Sequence, residues 1–235
     1  MSTPVVKIEN LVKRYKELVA LDHFNLEIEE GEIFGLLGPN GSGKTTTINC
    51  LLSLLSYDKG NIEVFGKKMN PDSYDLKRQI GVVMQNVAVD PQSRNKILEG
   101  IVELNRNGAT IIYTSHYMEE VEQICSRIAI MDKGKNLAIG TKDELKQMIK
   151  KSESISIDIL DLPDAAIDEI RALKHVYEVT YENHMLTVLC SGGSHNLIHV
   201  LDYLQQHEIT FGKVYSELPT LNDVFLEITG KELRD

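Results

Sequence analysis

The sequence predicts an α/β protein with a mostly parallel, covered sheet, followed by a small α+β domain. Through residues 1–150, apolar strand-like runs alternate with segments of helical spacing, which is typical of a parallel sheet with flanking helices. Residues 151–235 follow a different order, with two strand-like runs in succession between helical segments. The polar stretch Lys150–Ser154 is predicted to be a linker, so we place the domain boundary between residues 150 and 151.

The elements of the first domain follow from the spacing of apolar residues. Gly31–Leu37 reads as a buried strand, and Lys44–Leu55 reads as a helix because its leucines and Ile48 recur on one face. A glycine-rich turn joins the two. The alternation continues with a helix from Asp90 to Asn107, a strand at Ala109–Thr114, a helix at Met118–Cys125, a strand at Arg127–Met131 and a capped helix from Thr141.

The second domain is predicted to be ferredoxin-like, because its elements follow the order β-α-β-β-α-β. Its predicted elements are a strand near Ile155–Leu160, a helix to Leu173, two strands around Tyr181–Asn183, a helix from Ser194, a strand near Val214 and a helix from Thr220.

Composition and charge exclude several classes of protein. The net charge is −10, and residues 151–235 carry 15 acidic and 6 basic residues, so a nucleic-acid partner is not expected. The three cysteines form no Cys-x-x-Cys pair, which fits neither a disulfide framework nor a zinc site. Neither a leader segment nor a membrane-spanning run is evident, so we expect a cytoplasmic protein.

The clearest chemical motif is Gly38-Pro39-Asn40-Gly41-Ser42-Gly43-Lys44-Thr45, which fits the phosphate-binding pattern G-x-x-x-x-G-K-[ST]. Its glycines allow backbone N–H groups to point inward, and the following helix adds partial positive charge where phosphates lie. Lys44 is expected to reach the β- and γ-phosphates, and the Thr45 hydroxyl is expected to bind Mg²⁺. The motif therefore predicts ATP and Mg²⁺ as ligands.

With its flanks Leu36-Leu37 and Thr46, this motif resembles the Walker A sequence of ABC transporter cassettes, which have a P-loop NTPase-like fold. Val12-Lys13-Arg14-Tyr15 resembles the A-loop of that family, which implies that Tyr15 stacks on adenine. Ile80–Gln85 resembles the Q-loop strand, which implies that Gln85 reaches Mg²⁺ and the attacking water.

Two further residues gain a role from the same resemblance. Ile111–His116 resembles the switch strand, in which a histidine touches the γ-phosphate, so His116 and Gln85 are the expected catalytic residues. Asp90 resembles the D-loop aspartate that meets a second cassette, although a helix cap accounts for it equally well. The run Ile128–Asp132 ends in an acid, but Lys133 follows, so Asp132 is interpreted as part of a turn.

The chain departs from the family in its middle segment. Only Asn86–Val89 separate Gln85 from Asp90, where cassettes carry a helical subdomain, the signature sequence and the Walker B acids. Two origins fit this gap: a deletion in the molecule itself, or a longer protein whose middle stretch is missing from the given sequence. Hydrolysis by the 235-residue chain is therefore not expected to be efficient.

The resemblance as a whole implies an ATPase subunit of an ABC transporter. Leu218–Gly230 resembles the accessory domain of drug-export cassettes, so the expected partner is a separate integral membrane subunit. A second copy of the chain, forming a homodimer, is another candidate partner. The expected location is the inner face of the cell membrane. Two alternatives stay open: a truncated cassette that binds nucleotide without turnover, and a soluble cassette acting on nucleic acid or ribosomes, which the acidic charge disfavours.

Overall fold

The computed structural model describes residues 4–81, 91–115, 117–193 and 195–230, which form two compact units. The first contains residues 4–142 with 229–230, and the second contains residues 143–228. The first unit has strands β1 (Val6–Tyr15), β2 (Leu18–Ile28), β3 (Ile33–Leu37), β4 (Lys59–Val64), β5 (Lys67–Lys68), β6 (Ile111–Thr114), β7 (Arg127–Asp132) and β8 (Lys135–Thr141), with helices α1 (Lys44–Leu51), α2 (Tyr74–Lys77), α3 (Pro91–Arg106) and α4 (Met118–Ile124).

The central sheet of the first unit has the strand order β6-β3-β7-β8. Strand β3 lies in the middle and pairs in parallel with both β6 and β7, with Leu36 opposite Thr114 on one side and Ala129 on the other. All five residues of β3 are buried, as an apolar run covered on both faces requires. The parallel sheet predicted from the alternating pattern is therefore confirmed, and β8 adds an antiparallel edge.

Helix α1 is shorter than its apolar spacing predicts, because it ends at Leu51 and not at Leu55. Ser53 adopts a left-handed conformation, with φ of 51°. The Ser53 and Leu54 N–H groups donate to the carbonyls of Cys50 and Asn49, at 3.0 and 2.9 Å. This is the Schellman arrangement that closes helices, here with serine at the position usually held by glycine.

A second, antiparallel sheet with the order β2-β1-β4-β5 was not predicted from the sequence. Strand β1 pairs with β2 through several register shifts, and Val6 on its other side lies opposite Val64. One core, which includes Ile8, Phe24 and Phe34, joins residues of both sheets. Strand β2 thus connects a hairpin at Tyr15 to the region beside the glycine-rich loop.

The second unit has helix α5 (Lys142–Gln147), β9 (Glu153–Asp158), α6 (Asp164–Arg171), β10 (Val176–Glu182), β11 (Met185–Cys190), α7 (Asn196–Gln206), β12 (Val214–Glu217) and α8 (Leu221–Thr229). Its sheet has the order β10-β11-β9-β12, and every neighbouring pair is antiparallel. Strand β11 lies between β9 and β10, which is the split β-α-β arrangement predicted as ferredoxin-like. The predicted linker overlaps strand β9, which begins at Glu153.

The three cysteines are free and buried, and burial raises the pKa of each thiol, to about 11 for Cys50 and Cys190 and about 12 for Cys125. Thiols with such pKa values are packing groups and not nucleophiles at neutral pH. Across the described residues, the helices are too short or too polar to cross a bilayer.

Candidate functional site

The glycine-rich loop lies between β3 and α1, at the carboxyl end of the parallel strands. Strand β3 is flanked by β6 and β7, so this end of the sheet also carries the residues that follow those two strands. In open α/β sheets, ligands bind outside the carboxyl ends of the strands. The position of the loop is therefore the one expected of a ligand site.

The loop glycines occupy positions that other residues would not tolerate. Gly38 is buried, and a Cβ there would collide with the carbonyl oxygen of Met131 and the hydroxyl of Ser42. Gly43 caps α1 in the left-handed region, with φ of 107°, and a Cβ there would lie 2.8 Å from the oxygen of Ala20. Glycine is required at both positions because the backbone passes so close to its neighbours.

Lys44 is buried in the loop, with only 8% of its surface exposed. Its ammonium group donates to the carbonyl of Gly38 at 2.6 Å and to that of Pro39 at 3.2 Å. Burial lowers the pKa of Lys44, because the charged form loses water. The described contacts of this ammonium are neutral carbonyls, so an anion brought to the loop would supply an opposite charge.

The hydroxyl side chains of the loop have different surroundings. Ser42 is buried and its hydroxyl has no hydrogen-bond partner among the described residues, whereas its N–H donates to the carbonyl of Pro39 at 3.0 Å. Thr47 is tied to the carbonyl of Gly43 at 3.0 Å. Thr45 and Asn40 are exposed, and Gly41 and Thr46 lie beside them on the same loop and helix turn. Thr45 is thus placed where a metal-bound phosphate would have access to its hydroxyl.

Tyr15 is the last residue of β1, next to the turn that leads to β2, and is 44% exposed. The ammonium of Lys13 lies 5.1 Å from the centre of its ring, within the range of a cation–π contact. Tyr15 pairs with Leu18, the first residue of β2, and β2 brings Ala20 and Leu21 against Gly43. Strand β2 therefore joins the tyrosine turn to the glycine-rich loop within a few residues.

Three residues implied by the resemblance, Gln85, Asp90 and His116, lie outside the described residues. Of the neighbours of position 116, Ser115 follows β6 and is buried, and its hydroxyl donates to Glu120 at 2.6 Å. The same hydroxyl accepts a hydrogen bond from the N–H of Tyr117 at 3.0 Å. The roles of Gln85 and His116 stay predictions.

Asp132 ends strand β7, and the interpretation of this residue as part of a turn is confirmed. Asp132 pairs with Lys135, and the two residues between them, Lys133 and Gly134, have φ of 48° and 76°. Two successive positive φ angles are the signature of a type I′ hairpin turn. Asp132 is therefore placed by hairpin geometry.

Sequence reasoning did not identify the contact between this turn and the glycine-rich loop. The N–H of Gly134 donates to the carbonyl of Ser42 at 2.9 Å. A Lys-Gly pair after an apolar run predicts a turn, but it does not indicate which segment the turn touches. Gly134 is thus an additional residue of the loop's surroundings.

The arrangement as a whole suits binding of a phosphorylated ligand. The first N–H groups of an α-helix have no intrahelical acceptor, and here they lie next to a buried ammonium and a buried hydroxyl that no described residue bonds. Together with the helix dipole, these groups provide several donors and positive charge at one point. The donor set matches an oligophosphate better than an apolar or cationic ligand.

Family models match most of the chain. Residues 21–165 match the model described as "ABC transporter", which includes the glycine-rich loop. Residues 140–229 match the model described as "ATP-binding protein DrrA1-3-like, C-terminal domain". The accessory-domain resemblance of the chain's end is therefore confirmed.

Curated relatives align over almost their entire length. The linearmycin resistance ATP-binding protein LnrL of Bacillus subtilis is 30% identical over 311 residues, covering 98% of this chain and 100% of the relative. The Nod factor export ATP-binding protein I of Ralstonia nicotianae is 25% identical, covering 100% and 96%. The daunorubicin resistance ATP-binding protein DrrA3 of Streptomyces coeruleorubidus is 24% identical, covering 100% and 98%.

Solved structures support the fold. An ATP-binding subunit of an ABC transporter superposes with a TM-score of 0.53 and 17% identity, covering 61% of this chain and 92% of that chain. A dimeric cassette in a post-hydrolysis state, bound to ADP and Pi, superposes with a TM-score of 0.51 and 18% identity. The superposition covers 58% of this chain and 98% of that chain. Because a family model matches more than half of the residues and a relative is 30% identical across nearly its whole length, this chain belongs to the ABC transporter family.

Proposed function

We propose that this chain is the ATP-binding subunit of an ABC exporter and that it binds Mg-ATP at the loop Gly38–Thr46. The observation that carries the proposal is the buried ammonium of Lys44, held by loop carbonyls at the N-terminus of α1. A triphosphate supplies the negative charge that this group lacks among its described contacts. The exporter assignment is supported by relatives named for drug resistance and for Nod factor export.

Each part of the site has a distinct role in this proposal. Lys44 and the N–H groups of the loop bind the β- and γ-phosphates, and the exposed ring of Tyr15 stacks on adenine. The hydroxyl of Thr45 would hold Mg²⁺, which would neutralise phosphate charge when bound. By family resemblance, Gln85 orients the attacking water and His116 contacts the γ-phosphate.

The energy of ATP is passed to a second protein in this proposal. Relatives named as ATP-binding proteins for export or drug resistance support a separate integral membrane subunit as the partner. The chain binds that subunit at the cytoplasmic face of the cell membrane and pairs with a second cassette. The dimeric cassette among the solved structures supports the pairing.

A second candidate function is a nucleotide-binding regulator without turnover. The observation that favours it is the gap between Gln85 and Asp90, which holds only four residues. The alignment to the Bacillus subtilis relative runs over 311 residues, whereas this chain has 235, so the relative contains residues with no counterpart here. Binding of ATP is common to both candidates, and only turnover separates them.

Calorimetry with Mg-ATP tests the binding site. We expect Lys44→Ala to weaken binding by about tenfold or more, because a charged hydrogen bond to phosphate contributes about 1.5–3 kcal/mol. Lys174→Ala is the matched control, since Lys174 is exposed and belongs to the second unit, whereas the loop belongs to the first. Equal affinities for the wild type and the Lys44 variant would contradict the proposed site.

Co-purification tests the partner. Affinity-tagged chain, expressed in its native host and extracted with mild detergent, should retain a polytopic membrane protein. Recovery of ribosomal proteins or nucleic acid instead would favour a soluble cassette and refute the exporter assignment. The tagged Lys44→Ala variant serves as a control, because docking to a membrane subunit does not require the ammonium.

A further inference from the structure

Gly134 connects two parts of the first unit through its backbone. It lies in the turn Asp132–Lys135, which joins β7 to β8. Its N–H donates to the carbonyl of Ser42 in the glycine-rich loop at 2.9 Å, and its carbonyl accepts a hydrogen bond from the N–H of Asp22 at 3.0 Å. One residue therefore bonds to the phosphate loop on one side and to strand β2 on the other.

Close packing makes glycine necessary at this position. A Cβ on Gly134 would lie 2.5 Å from the carbonyl oxygen of Ala20 and 2.8 Å from the Cα of Leu21. A Cβ on Gly43 would meet the same oxygen at 2.8 Å and the Cα of Gly134 at 3.5 Å. The turn, strand β2 and the loop are thus in backbone contact immediately before Lys44.

The same strand pairs with the end of β1 that carries Tyr15, the aromatic side of the site. Strand β2 begins at Leu18, which pairs with Tyr15, and reaches Asp22 four residues later. The ion pair between Asp22 and Lys135 at 2.9 Å is exposed, so the backbone contacts of Gly134 hold the turn in place. Displacement of the turn would change the position of the loop relative to the Tyr15 hairpin.

We propose that Gly134 is a positioning residue for nucleotide binding, which holds the phosphate loop in register with strand β2, whose first residue pairs with Tyr15. The inference rests on the proposed function, because it assumes that the nucleotide occupies the loop. A loop that is ordered before binding loses less conformational freedom when the ligand binds. Gly134 acts through Ser42 and Gly43 and does not itself touch the nucleotide.

The test compares two glycines in matched turns. Phe65 and Gly66 form the turn between β4 and β5, with φ of 52° and 68°. Among the described residues, apart from Gly66 and its two chain neighbours, no atom lies within 4 Å of a Cβ placed on Gly66. Gly134→Ala and Gly66→Ala therefore share the cost of a left-handed alanine, and only the first collides with Ala20. We expect calorimetry to show Mg-ATP affinity reduced by about tenfold in the Gly134 variant and unchanged in the Gly66 variant.

The outcomes separate this inference from the proposed function. If wild-type protein binds Mg-ATP no better than Lys44→Ala, the proposed function fails. If the wild type binds normally and a folded Gly134→Ala binds equally well, the positioning role of Gly134 is refuted. A purely structural role would lower the melting temperature of the nucleotide-free variant without changing its affinity for Mg-ATP.

A second measurement avoids the variant altogether, in case Gly134→Ala fails to fold. In the wild type, saturation with Mg-ATP should slow amide hydrogen exchange at Gly134 and Asp22, because an occupied loop restrains the turn. Exchange in the Gly66 turn should not change. Equal exchange rates at Gly134 with and without nucleotide would overturn the inference.

Discussion

Glu120 is buried near the end of strand β6, where side chains of three elements meet. Its Oε2 accepts hydrogen bonds from the hydroxyls of Tyr113 at 2.7 Å and Ser115 at 2.6 Å, and Arg94 Nε lies 3.3 Å from its Oε1. Burial, and then the hydrogen bond to Glu120, raise the pKa of Tyr113, which stays protonated as the donor. One buried carboxylate thus links α3, β6 and α4.

Replacing this carboxylate should loosen the strand end. We expect Glu120→Gln to lower the local free energy of opening at β6 by about 2 kcal/mol, because Arg94 loses its charged partner and an amide NH₂ faces the hydroxyl donors. Amide hydrogen exchange of Ile111–Thr114, followed by mass spectrometry, measures this change. Glu119→Gln is the control, since Glu119 is exposed on the same helix. Equal exchange in both variants would mean that Glu120 contributes no stability.

At the scale of the element, local patterns predicted what local forces determine. The strand at β3, the loop and the start of α1 follow from an apolar run, glycine conformations and a helix N-terminus, all within a few residues. The predicted end of α1 at Leu55 was wrong, because Ser53 adopts a left-handed conformation that apolar spacing does not indicate.

Long-range pairing lay beyond sequence reasoning. The antiparallel sheet depends on β1 pairing with both β2 and β4, and alternation within a strand does not identify its partner. The contact from Gly134 to Ser42 has the same character, because the two residues are distant in the chain and meet only in the fold. The roles given to Gln85 and His116 rest on family resemblance alone.

Helix α8 begins with a reciprocal cap that also contacts the segment before β9. The carboxylate of Asp223 accepts hydrogen bonds from the N–H and hydroxyl of Thr220 at 2.7 and 2.8 Å, and from Lys151 at 2.7 Å. Burial acts to raise the pKa of Asp223, but the bonds from Lys151 and Thr220 outweigh it and lower the pKa below the ordinary 3.8. The cap thus stabilises the fold fully at pH values above the pKa that Asp223 has in the unfolded chain. This contribution is lost as pH falls through the lower pKa that Asp223 has in the folded chain.

Loss of this cap should expose the chain before β9 to protease. Asp223→Ala removes a helix cap worth about 1 kcal/mol and frees the ammonium of Lys151, so trypsin should cut after Lys150 or Lys151 about five times faster. Asp202→Ala is the control, because Asp202 is exposed on α7. The rates are read from gel bands at pH 8, where the carboxylate is ionised. No change in cleavage would show that the cap does not hold this segment.

At the scale of the whole molecule, the structure, the family models and the sequence place the boundary between the two units at different residues. The structural division falls between residues 142 and 143, and the family models overlap from residue 140 to 165. The boundary proposed from the sequence lies between residues 150 and 151. Leu145 and Ile149 are buried, and the Lys150 N–H donates to Glu227 at 3.0 Å.

Two fragments of the second unit distinguish these boundaries. We expect a fragment of residues 143–235 to unfold at higher urea than one of residues 152–235, because the shorter fragment lacks the ion pair of Lys151 and the buried Leu145 and Ile149. Circular dichroism at equal concentrations gives the midpoints. If the shorter fragment is equally stable, the boundary belongs at residue 150.

Turnover of ATP by the 235-residue chain is expected to be slow. Members of this family are ATPases, but the 235-residue chain has only Asn86–Val89 where cassettes carry the Walker B acids and the signature sequence. Without the aspartate, Mg²⁺ would lack a carboxylate ligand and would depend on the proposed ligands Thr45 and Gln85. Without the adjacent glutamate, the water lacks a general base, whose contribution to rate is typically about 10²–10⁴.

Binding and hydrolysis should therefore separate in this chain. The groups proposed to bind phosphate, Lys44 and the loop backbone, lie outside the gap, so affinity for Mg-ATP is expected to persist. Closure over the nucleotide requires the signature sequence of a second cassette, so water is not excluded from the site. A phosphate-release assay, on protein whose mass is verified as 26.5 kDa, should give turnover well below about 1 s⁻¹. Lys44→Ala controls for contaminating ATPases. Turnover at or above about 1 s⁻¹ that this variant abolishes would mean that another acid of the chain replaces the missing ones.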